Sequence, residues 1–171
     1  MKKIFVMAAM VLGVSAAYAG DSEPLKAITK SKTYAEAEAL LNSTLDQLAS
    51  PQEKAKAYNK LYELSMKDFE TVSAVIAENQ RAAVMKTEQQ AYDTAAYYNS
   101  AYNAVKAAVE CDKYDGQPDA KGKTKIAYRK DETRLQKLTQ ARLELVNGGQ
   151  WIDGKNDEAG LLKYWGLFLE S

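Results

Sequence analysis

From Leu25 onward, apolar residues recur at every third or fourth position and almost nowhere alternate. That period belongs to helices with one buried face, not to strands. Five or six helices are predicted. A short one holds Leu25 and Ile28. In the next, Tyr34, Ala37, Leu41, Leu45 and Leu48 fall at helical spacing as far as Ala49, and Thr33 with Glu36 forms a capping box at its start. Ser50-Pro51-Gln52-Glu53 is a second start signal: a serine cap, a proline in the first turn and a glutamate able to reach back. The helix it opens carries Tyr58, Leu61, Tyr62, Ser65 and Phe69 along one face. Val72, Val75 and Ile76 continue it or begin another segment. Asn79 to Lys86 has no clear period, and a loop is allowed there.

A long helix is predicted from about Thr87 to Cys111, with Ala91, Ala95, Tyr98, Tyr102, Val105 and Val109 as its apolar stripe. Ala101, Ala104 and Ala108 form a neighbouring stripe of small residues that would let another helix approach closely. The run Asp115-Gly116-Gln117-Pro118-Asp119-Ala120-Lys121-Gly122 is dense in turn formers and marks the one strong internal boundary. It divides helical pairs over 20–115 from a C-terminal pair over 131–171, with a loop at 116–130. Leu135, Leu138, Ala141, Leu145, Gly149 and Ile152 line the first helix of that pair. After a turn at Asp153 to Asn156, a final helix carries Leu161, Leu162, Tyr164, Trp165, Leu167, Phe168 and Leu169.

The first nineteen residues have a different character. Lys2 and Lys3 precede an apolar run from Ile4 to Val14, and Ala17-Tyr18-Ala19 places small residues where a signal peptidase reads them. This pattern predicts a secretory signal peptide over 1–19, with Gly20 as the mature start, and a periplasmic or secreted protein. The apolar run is too short for a membrane anchor, which needs about 20 apolar residues. No second run of spanning length follows, so no membrane association is expected after cleavage.

Composition narrows the chemistry. There are 23 basic and 23 acidic residues, and loss of Lys2 and Lys3 leaves a net charge of −2. Such a chain has no general attraction to nucleic acid. There is no histidine, which removes Ser-His and Cys-His nucleophile systems and most catalytic zinc sites. The single cysteine, Cys111, excludes a CxxC redox pair and reads as a small residue near a helix end. No phosphate-binding glycine loop is present. The acid-rich stretches Asp112, Asp115, Asp119 and Asp153, Asn156, Asp157, Glu158 do not have EF-hand spacing. The sequence therefore assigns no catalytic residue, no metal ligand and no cofactor. Carboxylates could still run acid–base chemistry, so a small carboxylate-dependent hydrolase acting on carbohydrate or cell-wall material is the alternative class.

The C-terminal pair resembles a tetratricopeptide repeat. Gly148 and Gly149 stand where the repeat places small residues, and Trp165 and Phe168 where it places large ones. The segments Leu145-Val-Asn-Gly-Gly-Gln-Trp and Tyr164-Trp-Gly-Leu-Phe-Leu-Glu-Ser171 look like repeats of exported proteins of Gram-negative bacteria. Leu161 departs from the pattern, which has a small alanine there, and the terminal proline is absent. The resemblance implies an all-α fold of antiparallel helix pairs in a short right-handed superhelix, and a non-catalytic module that binds a protein or peptide.

Eleven tyrosines suit a recognition surface, since each joins a large ring to a polar tip. Tyr98 and Tyr102 share the apolar stripe and read as core. Tyr97 falls off it and reads as exposed. With Tyr62, Tyr164, Trp165 and Phe168, Tyr97 is a candidate partner contact. The final helix is apolar around most of its circumference. Three arrangements would cover it: self-association, docking on the N-terminal half, or continuation into a longer array.

Overall fold

The computed structural model describes residues 20–118, 122–123 and 127–148. It is all-helical over those residues. Five α-helices run in chain order: α1 Glu23–Lys30, α2 Tyr34–Thr44, α3 Pro51–Met85, α4 Thr94–Asp112 and α5 Glu132–Gly148. The 3₁₀ turns Leu45–Gln47 and Tyr128–Lys130 sit between them. The signal-peptide segment and the final helix with Tyr164, Trp165 and Phe168 lie outside the described residues.

The helix starts obey the cap chemistry of the sequence. Thr33 Oγ1 accepts from the Glu36 amide at 3.3 Å, and Ser50 Oγ from the Glu53 amide at 3.2 Å. Glu53 does more than close its own box. Its two carboxylate oxygens accept from the amides of Ala49 and Ser22, each at 2.7 Å, so one side chain fastens the start of α1 to the start of α3.

α3 is the longest element, about 52 Å at 1.5 Å per residue, and it carries the core. α4 packs antiparallel along it: Cys111 donates its thiol to the Ala55 carbonyl, Ser65 donates to the Ser100 carbonyl, and Phe69 stacks on Tyr97 with ring centres 5.0 Å apart. α5 returns antiparallel along α4, with Arg134 beside Asp112 at one end and Gly148 against Tyr98 at the other. α1 and α2 close the first half of α3, burying Leu25, Ile28, Ala37 and Leu41. Leu138, Ala141 and Leu145 of α5 belong to the same apolar cluster as those residues.

Three boundaries differ from the sequence reading, the first being the end of α2, which stops at Thr44 and passes into the 3₁₀ turn Leu45–Gln47 instead of continuing to Ala49. Residues 79–85 are helical, because Ala82, Ala83 and Met85 favour helix and neither glycine nor proline interrupts them. The stop is Lys86, in a left-handed conformation (φ 54°), whose amide returns to Ala82 and Ala83 carbonyls. The next helix starts at Thr94, seven residues later than expected, where Asp93 Oδ1 caps the Ala96 amide at 3.0 Å. The connecting residues fold back onto α3: Asn79 donates to the Gln90 carbonyl and accepts from its amide, both at 2.7 Å.

Candidate functional site

The alanine stripe is the most deeply buried face of α4, while the tyrosine stripe packs beside it, with Val105 fully buried and Tyr98, Tyr102 and Val109 partly buried against the core. Ala101, Ala104, Ala108 and Cys111 let α3 approach closely, and Tyr97 continues their spacing of four and three towards the N-terminus. Tyr97 is therefore 6% exposed, stacked on Phe69 with its hydroxyl beside Ser73. The expectation that it is exposed is corrected. Tyr98 and Tyr102, expected at the centre of the core, are half-buried at its flank.

Tyr62 is also inside. Its hydroxyl donates to the Arg134 carbonyl at 3.5 Å, and the Arg134 guanidinium lies 5.0 Å from its ring centre. Burial pushes the phenol up to about 12, so it stays a neutral donor. As a surface contact, Tyr62 is thus corrected too: its ring is taken up by α5. Tyr164, Trp165 and Phe168 lie outside the described residues.

Arg134, which the sequence did not single out, is 4% exposed at the junction of α3, α4 and α5. Its Nη1 donates to Asp112 Oδ1 at 3.2 Å and its Nη2 to the Ala108 carbonyl at 3.5 Å. Asp131 places it, since that carboxylate caps the first turn of α5 through the amides of Thr133 and Arg134. Burial nevertheless raises the Asp112 carboxyl above its ordinary value, outweighing the neighbouring guanidinium.

With Arg134 facing the core, Leu135 turns outward. Sequence spacing put Leu135 on the buried face with Leu138, Ala141 and Leu145; it is instead 39% exposed. Leu143 and Val146 are 54% and 45% exposed. At 3.6 residues per turn, the three fall within about 80° of arc on the side of α5 away from α4. Exposed Thr139 and Glu132 fall within the same arc, and polar Gln136, Gln140 and Asn147, also exposed, border it beyond Leu143. An apolar stripe on a helix with a polar rim is the usual form of a helix-docking surface.

The more enclosed acids have structural duties. Glu53 accepts backbone amides, Asp112 is paired with Arg134, and Asp115 accepts the Arg129 amide at 2.9 Å. Among the described residues no group of three or more acids or cysteines is arranged to hold a metal ion; Asp119 and Asp153 to Glu158 are not among them. No helix of the described residues is long and apolar enough to cross a membrane. No protein-family model matches the chain, and searches of curated proteins and of solved structures give no match.

Proposed function

We propose that this chain is an exported, non-catalytic helical module that binds a protein or peptide, and that the outer face of α5 is its contact. The observation that carries this reading is the stripe of Leu135, Leu143 and Val146 on a helix whose opposite face is fully packed. Three apolar side chains at helical spacing fit the apolar face of another helix. The leader-like pattern of residues 1–19 supports export. The likeness of the pair over 131–171 to a tetratricopeptide repeat, read from its sequence, and a right-handed superhelix are part of the same proposal; of that pair only α5 lies among the described residues. Self-association through this face is the special case in which the partner is a second copy.

The carboxylate-dependent hydrolase has less support, because the enclosed acids Glu53, Asp112 and Asp115 are engaged by backbone amides and a guanidinium group.

Paired charges test the proposal. Leu143→Glu with Val146→Glu should leave circular dichroism and melting unchanged while abolishing the proteins that co-purify with the chain from an envelope fraction. Unchanged co-purification contradicts it.

A further inference from the structure

α3 outruns the helices packed on it. Phe69 stacks on Tyr97, whose hydroxyl lies beside Ser73, and α4 begins only three residues before Tyr97. The described part of α5 reaches Gly148, which lies against Tyr98, the next residue along α4. The stretch of α3 from Ile76 to Met85, about 15 Å, therefore projects beyond the start of α4 and the described end of α5. The connecting residues cover one side of it, where the Thr87 amide donates to the Ala82 carbonyl and Gln90 pairs with Asn79. Two other rows continue the packed face of α3. Ile76 and Ala83 follow Phe69 at intervals of seven and extend the row that faces α4. Ala77 and Val84 follow Glu70 at the same interval, and Glu70 pairs with Lys137 of α5. Yet Ile76 is only half-buried, Ala77 and Ala83 are exposed, and Val84 is 84% exposed, with Gln80 the polar residue between the rows.

The chain itself supplies an occupant. α5 runs parallel to α3, since both are antiparallel to α4, so the chain leaving Gly148 heads along the projecting turns. Residues 149–156 can span that length, at about 3.3 Å per extended residue. Beyond them, a helical period spreads the seven apolar residues from Leu161 to Leu169 over about 220° of arc. Lys163 and Glu170 fall within about 20° of each other on the remaining side. A helix with one neighbour needs an apolar stripe of only roughly 100°. This segment is built for two neighbours. We propose that 157–171 packs between the projecting turns of α3 and the α3-facing side of α5, covering Ile76, Ala77, Ala83 and Val84. It completes the bundle and leaves the outer stripe of Leu135, Leu143 and Val146 to a partner.

The test follows tryptophan fluorescence in the full chain carrying Trp151→Phe, which leaves Trp165 as the one tryptophan. Its emission should be blue-shifted and protected from iodide at every protein concentration. Ala77→Lys with Val84→Lys should shift the emission to the red and open it to iodide. Helical circular dichroism should persist, because both parent side chains are exposed. Leu143→Glu with Val146→Glu should leave the emission unchanged. Should the α3 pair lose helicity, the reciprocal experiment decides: Trp165→Lys should hasten thiol labelling of Val84→Cys, with Cys111 silent because it is buried. The proposal is overturned if Trp165 is open to iodide in the parent, or if neither the α3 pair nor the reciprocal variant changes its readout. Protection that appears only at high concentration overturns it in favour of a second copy. Release of Trp165 by the Leu143→Glu and Val146→Glu pair overturns it in favour of docking on the outer face of α5.

Discussion

The ring of Tyr98 rests so closely on the α-carbon of Gly148 that a methyl group there would overlap ring atoms Cγ and Cδ1. The contact fixes how far the end of α5 lies from α4. Because the overlap runs along one edge of the ring from Cγ to Cε1, the whole ring must move to relieve it.

Gly148→Ala should therefore destabilise the fold. Alanine gains up to about 1 kcal/mol in helix propensity over glycine, but overpacking against the ring costs typically ~1–3 kcal/mol. The net expectation is a lower melting temperature, partly restored when Tyr98→Ala is added. A Gly148→Ala chain that melts higher than the parent would show that α5 is free to move off α4.

Arg134 ties α5 to two other helices through the Asp112 carboxylate, the Ala108 carbonyl and the Tyr62 ring. Arg134→Met fills similar volume but leaves Asp112 without its cation. Breaking a fully buried pair costs about 3–5 kcal/mol, and the partial exposure of Asp112 lowers the expectation to about 2–3 kcal/mol. Denaturant unfolding measures it. Parent-like stability would mean the guanidinium contributes packing alone.

Burial raises the Glu144 carboxyl above its ordinary value of 4.5. A folded-state value above the unfolded one means that the group's stabilising contribution is complete below the unfolded value and is lost as pH rises through the folded one. Glu144→Gln cannot ionise. Melted from about pH 4 to about pH 7, the variant should track the parent at the acid end and be the more stable at the neutral end. A variant less stable at neutral pH would contradict this sign.

Much of the helical frame was legible because its signals are local. Thr33 and Ser50 cap where their side chains must, and Leu25, Ile28, Ala37 and Leu41 are buried as their spacing requires. The errors arose where two faces of one helix were both plausible. On α4 the Tyr98 stripe does pack on the core, but close approach to α3 also buries the small residues beside it, and Tyr97 goes in with them. On α5 the core position belongs to Arg134, whose burial depends on Asp112, twenty-two residues away and invisible to periodicity. The stop of α3 at Lys86 was hidden because a lysine holds a conformation that glycine usually marks. The outward stripe of α5 followed from the same Arg134 substitution in the pattern, so the candidate contact surface emerged only from the structure.

The central claim is that a partner covers α5 at Leu143, and thiol labelling of Leu143→Cys tests it most directly. The native thiol gives a clean background, because Cys111 is fully buried and burial pushes it up to about 12. In the purified chain at low concentration the new thiol should be labelled quickly, and in intact cells expressing the chain it should be protected. Equal labelling in both settings would contradict the claim that this face is where the protein meets its partner.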